Sequence, residues 1–258
     1  MIFTYDGTFA GLLSAIFEVY RLKADVVDIT PEDRYQEQLF STASYVATDT
    51  QHAKRVLTGL KKHSGNEKIG EFLRHTYLTE QPEVERLILY FVRRQMDVNG
   101  MDISKDAGDD NVRRLLRLKQ QMGREIHRMH AFVRFQQTPD GMYVGLVNPD
   151  FNCLPLIGDH FAARYPAMEW MIYDTRRHYG LHWNVATKRA EFIALDSGQD
   201  GRLRSLSEEM LDARETDYQE LWQTYFKAVD IPERKNLKLH LQHVPKRYWK
   251  YLTEKTGD

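Results

Sequence analysis

Four arginines recur along one stretch of the chain at a spacing that could bind phosphate. Arg113, Arg117, Arg124 and Arg128 are separated by four, seven and four positions. At about 100° per residue of an α-helix, they fall within about 60° of one another, opposite the apolar residues of the same stretch. Guanidinium groups in a row can follow a phosphate backbone, and such binding weakens steeply with salt. We therefore predict a nucleic-acid-binding stripe, although a solvated face or pairing with acidic residues would give the same pattern.

A second candidate is the segment HVPKRYWKYL at residues 243–252, where cations alternate with aromatic rings. Rings of this kind can stack on unpaired bases while the cations hold phosphates. The alternative is that the rings dock a C-terminal helix onto the core and the cationic stems lie along the surface. A mixed arrangement, with Trp249 buried and the cations exposed, also fits. The residues that we predict to contact nucleic acid here are Lys246, Arg247, Tyr248, Trp249 and Lys250.

Histidines are abundant, but they form no complete set for metal binding or catalysis. His127 and His130 are three positions apart, and His178 and His182 lie around a predicted turn. Histidines three apart can share a metal ion, yet no nearby carboxylate completes a convincing ligand set. Glu125 lies close to His127, but neighbouring residues of a helix point in different directions, which weakens an acid–base pair. We predict no metal site, and no residue is assigned a catalytic role.

Cys153 is the single cysteine of the chain, and this excludes several classes of site. One cysteine can form neither an internal disulfide nor a cluster of thiolate ligands for iron–sulfur or zinc. We interpret Cys153 as a small buried residue. The chain also lacks the glycine-rich phosphate loop, the dinucleotide-binding glycines, the HExxH zinc motif and the GxSxG nucleophile elbow. No cofactor is therefore predicted.

Charge is distributed in blocks of one sign, although the net charge of the 258 residues is only −1. Residues 112–134 carry many basic side chains against Glu125 alone, and residues 234–250 are basic without any acid. Between these blocks lies a strongly acidic stretch at residues 208–220. Blocks of this kind govern which partners a surface attracts more than the net charge does.

No apolar run reaches the roughly 18 residues that a membrane-spanning helix needs. The N-terminal MIFTYDGTF has neither the basic region nor the apolar region of a signal peptide. Together with the single cysteine, these features lead us to expect a cytoplasmic protein with no membrane partner.

Hydrophobic periodicity and turn residues predict an α+β fold. We expect a helix-rich N-terminal half, then a small antiparallel sheet with helices, and a helical C-terminal tail. Strands are predicted at IFTYD, ADVVDIT, AFVRFQQ, MYVGLV and RAEFIAL and within WMIYDTRRHYGLHWN, with turns near Tyr179–Gly180 and Ala186–Thr187. A helix is predicted after the Asp6–Gly7 turn with Thr8 as its cap, and another over residues 49–64 that begins at Asp49 or Thr50. Further helices are predicted over GEFLRHTYL, PEVERLILYFVRRQ with Pro82 in its first turn, the arginine-rich stretch, IGDHFAARYP and the acidic residues 205–229. We expect one unit over residues 1–258, subdivided into a helical part at 1–108 and the basic helix, sheet and tail at 109–258.

Five stretches together resemble a bacterial family of DNA repair or DNA metabolism proteins that carry the DUF4130 domain. They are YDGTFAGLLSAIFEVY, FLRHTYL, RLKQQMGREIHRMHAFVRF, NPDFNCLPLIGDHFAARYP and ERKNLKLHLQHVPKRYWKYL, and they run nearly from end to end. Members of this family accompany a radical-SAM protein similar to spore photoproduct lyase, and some relatives are fused to a uracil-DNA glycosylase domain. The resemblance implies a stand-alone accessory protein of DNA repair or modification.

Three functions are compatible with these features. The first is a module that binds damaged or modified nucleic acid and presents it to the radical-SAM partner. The second is a base-excising or base-modifying enzyme, which needs a carboxylate or histidine beside the basic surface. The third is a protein-interaction subunit without direct DNA contact, whose charge blocks dock a partner. Burial of the arginines against residues 208–220 would favour it. We favour the first.

Overall fold

The computed structural model describes residues 1–24, 28–36, 43–98, 100–194, 210–212, 215, 219, 221, 244–252 and 255. The chain divides into two compact units, Met1–Met122 and Gly123–Asp258, which we call unit 1 and unit 2. This division lies inside the longest described helix, whereas the predicted subdivision after residue 108 lies just before that helix. The α+β class predicted from the sequence is confirmed, because both sheets and helices are present.

Unit 1 is built on a parallel sheet of three strands with β1 in the centre. The strands are β1 (Ile2–Tyr5), β2 (Asp28–Pro31) and β3 (Ala43–Tyr45), and Ile2 pairs with the first residue of each neighbour. The turn after β1 leads into α1 (Phe9–Arg21), which begins where the Thr8 hydroxyl accepts the Gly11 N–H at 2.9 Å. The predicted strand, turn and capped helix are thus confirmed.

Helices cover this sheet and supply most of the core of unit 1. They are α2 (Thr50–Ser64), α3 (Ile69–Tyr77), α4 (Val84–Asp97) and the first part of α5 (Asp110–Phe132). Asp49 caps α2 by accepting the N–H groups of Gln51 and His52, as the sequence predicts. Pro82 does not lie in the first turn of α4, because Glu83 adopts a left-handed conformation and the helix begins at Val84. The apolar faces of these helices meet in one cluster that includes Leu12, Leu60, Leu73, Ile88 and Leu115.

Unit 2 contains the rest of α5 and a five-stranded sheet in the order β4-β5-β6-β7-β8. Its elements are β4 (Gln136–Gln137), β5 (Tyr143–Val147), α6 (Leu154–Arg164), β6 (Trp170–Asp174), β7 (Tyr179–Asn184) and β8 (Arg189–Ile193). A short 3-10 helix, Lys246–Tyr251, follows Pro245. Val144, Met171 and Tyr173 belong to a buried cluster on this sheet.

The N-terminal part is helix-rich, as predicted, and the strands predicted at IFTYD and ADVVDIT pair as β1 and β2 in its sheet. One prediction about the sheets is wrong. The second sheet is not purely antiparallel, because β5 and β6 run parallel to each other. The connection between β5 and β6 carries α6, and a helical crossover of this kind brings the second strand back in the same direction. Residue periodicity reveals the strands but not the direction in which they pair.

Most of the predicted acidic helix at residues 205–229 and the basic residues at 234–238 lie outside the described residues. Within the described part of the chain, no helix has both the length and the apolarity to cross a membrane.

Substitution by alanine at two helical glycines should change the free energy of unfolding in opposite directions. A Cβ at Gly11 would clash with the Asp6 carboxylate and lie 2.8 Å from the Thr48 hydroxyl and 2.9 Å from the Tyr5 ring, whereas a Cβ at Gly123 meets nothing within 4 Å. We expect Gly11→Ala to lower the free energy of unfolding by about 1–3 kcal/mol, since overpacking forces neighbours apart. Gly123→Ala should raise it by about 0.5–1 kcal/mol through helix propensity. Urea denaturation measures both, and a stabilised Gly11→Ala would contradict the tight packing at the β1–α1 turn.

Candidate nucleic-acid interface

The centre of the candidate site is a buried carboxylate, Glu125, in the part of α5 that belongs to unit 2. Its side chain is 1% exposed. One carboxylate oxygen accepts the backbone N–H of Asp150 at 2.7 Å and the Tyr248 hydroxyl, and the other accepts Arg247 at 3.0 Å and Arg128 at 3.3 Å. Burying a carboxylate requires this number of donors, because a charge removed from water must be compensated.

Arg247 connects this carboxylate to the 3-10 helix Lys246–Tyr251. One of its terminal nitrogens lies 2.7 Å from an Asp150 carboxylate oxygen and also donates to the Tyr248 hydroxyl at 2.6 Å. Its guanidinium carbon lies 4.5 Å from the centre of the Tyr248 ring. Tyr248 itself is 2% exposed. Burial, together with the hydrogen bond to Glu125 and its negative charge, raises the pKa of Tyr248 far above its usual range. The phenol therefore stays protonated and donates to Glu125.

Three other side chains of the 3-10 helix are exposed or partly exposed, whereas Tyr251 packs on the buried cluster of the sheet. Lys246 and Lys250 are exposed, and Trp249 is half-buried. The Trp249 indole N–H donates to the carbonyl of Val244 at 3.0 Å, which fixes the plane of the ring. The amines of Lys246 and Lys255 lie 5.9 Å and 5.4 Å from the centre of that ring. The segment thus presents lysines around an oriented aromatic ring, which is the combination that single-stranded nucleic acid binds.

The four arginines of the predicted stripe have different environments. Arg113 forms an ion pair with Asp110 and also donates to the carbonyl of Ala107 at 3.2 Å. Arg128 is half-buried on Glu125. Arg117 and Arg124 are exposed, and neither forms an ion pair with another described residue. Arg113 and Arg117 belong to unit 1, whereas Arg124 and Arg128 belong to unit 2. Among the described residues, therefore, only Arg113 and Arg128 of the four have an acidic partner.

A rigid loop at residues 148–153 supports the Asp150 side of the site. The carbonyl of Asp150 accepts from Arg176 and Arg177, each at 3.1 Å. Arg177 also donates at 2.9 Å to Asp174, a carboxylate that is fully buried. Hydrogen bonds from Arg176 and Arg177 and the bond to Glu125 fix the backbone of Asp150. Its carboxylate therefore lies beside Arg247, with about half of its surface exposed.

Comparison with protein-family models assigns the chain to a family. The family model described as a domain of unknown function, DUF4130, matches residues 82–254, which is more than half of the chain. The chain belongs to the DUF4130 family. The search of curated proteins and the search of solved structures found no match.

Every residue of the Glu125 site lies within the DUF4130 match. Sequence reasoning placed Arg128, Arg247 and Tyr248 among the contacts to nucleic acid, whereas the structure engages all three with Glu125. Glu125 was missed as the anchor, although one signal was visible: it is the lone acid among the basic residues 112–134. The sequence also allowed an arrangement with Trp249 buried and the cations exposed. In the structure the lysines are exposed, but the fully buried ring is that of Tyr248 and not that of Trp249. The binding of nucleic acid itself stays a prediction.

Cys153 is buried, as the sequence predicts, and burial together with the charges of Glu125 and Asp174 raises the pKa of its thiol. A buried thiol with a raised pKa is a poor nucleophile, because the thiolate is the reactive form. In the described part of the chain, no group of three or more histidine, cysteine or acidic residues is arranged to hold a metal ion. His182 instead lies 2.7 Å from the Glu169 carboxylate.

His130 stacks on His160 with ring centres 3.8 Å apart, and its Nε2 is buried without a hydrogen-bond partner among the described residues. Burial, followed by the proximity of His160 and His127, lowers the pKa of His130 to about 4. The folded protein therefore binds fewer protons than the unfolded chain between about pH 6.5 and pH 4, so stability is full above this window and is lost as the pH falls through it.

We expect His130→Gln to reduce the loss of stability between about pH 6.5 and pH 4, because the substituted side chain has no proton to gain on unfolding. Urea denaturation of wild type and variant at several pH values measures the difference. If both proteins lose stability in parallel across this window, His130 does not contribute to acid sensitivity.

Proposed function

We propose that this DUF4130 protein binds nucleic acid through unit 2 and acts as an accessory protein of DNA repair or modification. In this function it holds the nucleic acid and presents it to a radical-SAM partner resembling spore photoproduct lyase. The proposed contacts are the exposed Arg124, Lys246 and Lys250 together with the ring of Trp249. Arg117, on the unit 1 part of α5, remains a further predicted contact.

The observation that carries the proposal is the link between Glu125, Arg247 and Tyr248. The basic stretch of α5 and the C-terminal segment are far apart in the sequence, since 122 positions separate Glu125 from Arg247. The buried hydrogen bonds fix the two segments to one carboxylate. Glu125 and Asp150 balance Arg128 and Arg247, so the outward-facing Arg124, Lys246 and Lys250 leave a local positive charge. Such a charge favours a polyanion.

An enzyme that excises or modifies bases is a weaker candidate for this site. Glu125 is saturated with donors and is 1% exposed, so it could not abstract a proton from a substrate. Asp150 is half-exposed, but its carboxylate is already engaged by Arg247 at 2.7 Å and is not placed free beside a substrate. The third function, an interaction protein, would be favoured by burial of the arginines against residues 208–220. Among the described residues of that stretch, Glu215 instead accepts the backbone N–H of Gln137 at 3.1 Å.

Binding of fluorescein-labelled single-stranded and duplex DNA, measured by fluorescence anisotropy, tests the proposal. We expect wild type to bind single strands, and Trp249→Ala to weaken this binding roughly 10-fold, since stacking of one base contributes about 1–3 kcal/mol. Duplex binding should change little, because paired bases offer no free face. Phe192→Ala is the matched control, since Phe192 is an exposed ring on β8 of the same unit. Equal losses on both kinds of DNA would contradict stacking by Trp249.

The proposed partner is tested separately. We expect the purified protein and a radical-SAM protein resembling spore photoproduct lyase to elute together in size-exclusion chromatography when damaged DNA is present. Separate elution at every protein concentration tried would contradict the accessory role and leave DNA binding as a function of the protein alone.

A further inference from the structure

Helix α2 carries four cations and no acid. These cations are Lys54, Arg55, Lys61 and Lys62. The residues that α2 buries are Ala53, Val56, Leu60 and Ser64. At about 100° per residue the four cations fall within an arc of about 120° that is centred opposite this buried side. The other residues of that arc are the neutral Gln51 and Thr58, so the whole outward face of α2 is basic or uncharged.

The charges on this face are mostly free to meet a ligand. Lys54, Arg55 and Lys62 are exposed, and none of them forms an ion pair with another described residue. Lys61 pairs with Glu67 at 3.1 Å, but the Glu67 side chain is 84% exposed. An exposed pair of this kind contributes little and exchanges readily with solvent or ligand.

The aromatic and acidic side chains next to α2 contact the helix but do not neutralise the cations of its outward face. The Arg55 guanidinium carbon lies 4.8 Å from the centre of the Phe17 ring, and that ring stacks on His52 at 4.0 Å. Asp49 is occupied as the cap of α2, and Glu18 lies 3.9 Å from His52 and pairs with Arg21. Arg55 is thus held in place by an aromatic contact and forms no ion pair within the described part of the chain.

We propose that the outward face of α2 is a second nucleic-acid contact, located in unit 1, which binds phosphates without reading bases. It rests on the proposed function, since it would bind the same nucleic acid as unit 2. Lys54 and Lys62 are eight residues apart, which is about 12 Å along the helix axis at 1.5 Å per residue. A row of cations of this length, with no acid and no aromatic ring on the outer face, matches a repeating line of phosphates. The face lies outside the residues matched by DUF4130.

Charge reversal at the two exposed lysines tests this contact. The probe is fluorescein-labelled DNA, single-stranded and duplex, titrated with full-length protein over a series of salt concentrations. We expect Lys54→Glu/Lys62→Glu to make the negative slope of log affinity against log salt shallower by about 1.4–1.8, because each of two phosphate contacts contributes about 0.7–0.9. The loss should be similar for DNA of different sequences. Lys54→Gln/Lys62→Gln, which introduces no new charge, should give a smaller loss of affinity in the same direction.

The outcomes separate this contact from the one in unit 2. If Lys54→Glu/Lys62→Glu binds like wild type while Arg124→Glu/Lys250→Glu binds weakly, the α2 contact is wrong and the proposed function stands. If wild type binds no DNA at low salt, both are wrong. If the α2 variant retains wild-type DNA affinity but loses binding to an acidic protein, the face is a protein-docking surface and the proposal is also wrong.

Discussion

Glu125→Ala is expected to lower the free energy of unfolding by about 3 kcal/mol. The substitution removes the acceptor of Arg247, Arg128, the Tyr248 hydroxyl and the backbone N–H of Asp150 at once. Breaking a buried ion pair by deleting one partner costs about 3–5 kcal/mol, since the remaining groups stay buried without compensation. We place the effect at the lower end because both arginines are partly exposed and can turn towards water.

Urea denaturation measures this loss, and the chain offers a matched control. Glu67 is a glutamate paired with a single lysine at the surface. Glu67→Ala should therefore change the free energy of unfolding by no more than about 0.5 kcal/mol. A double-mutant cycle with Arg247→Ala should show strong coupling between Glu125 and Arg247. Equal, small effects at Glu125 and Glu67 would show that the carboxylate does not hold the C-terminal segment in place.

Reversing two charges on the candidate interface should give the largest effect on binding. We expect Arg124→Glu/Lys250→Glu to weaken binding of single-stranded DNA roughly 100-fold at low salt, because two phosphate contacts and their released counterions are lost. The negative slope of log affinity against log salt should become shallower by about 1.4 in the same titrations, since each contact to a single strand contributes about 0.7. Arg124 and Lys250 are both exposed, so the folded state should be retained. Fluorescence anisotropy across a salt series gives both quantities.

A control with the same change of net charge separates local contacts from long-range attraction. Lys105 and Lys188 are exposed and lie outside the proposed contacts. Lys105→Glu/Lys188→Glu should weaken binding only slightly, and the loss should disappear as salt screens the charges. Equal losses in the two variants would mean that net charge, and not this surface, governs binding.

The local elements of the fold could be predicted because their signals are local. Alternation and turn residues indicated β1, the Thr8 cap followed from its side-chain chemistry, and the 3.6-residue periodicity indicated α2 and α5. The parallel pairing of β5 with β6 could not be read in the same way, since it depends on how the α6 connection returns. Strand β3 is only three residues long and largely exposed, so it carries almost no hydrophobic pattern.

The candidate site could be predicted only in part. The residue types that bind phosphate were visible in the sequence, and Arg124, Lys246 and Lys250 are exposed in the structure. Periodicity treats each cation alike, however, and cannot show which of them a distant carboxylate will occupy. Arg247 and Tyr248 became internal ligands of Glu125 because the two segments meet in the fold. Contacts between residues more than a hundred positions apart are set by tertiary packing, which a single sequence does not display.

Lysine footprinting of the wild-type protein tests the central claim most directly. Exposed lysines are acetylated in the absence and presence of saturating single-stranded DNA, and mass spectrometry measures the modification at each position. We expect Lys246 and Lys250 to lose most of their reactivity when DNA is bound, since their amines contact phosphates, while Lys105 and Lys188 react as before. If the DNA is bound and Lys246 and Lys250 remain as reactive as Lys105 and Lys188, the nucleic acid does not lie on this surface of unit 2.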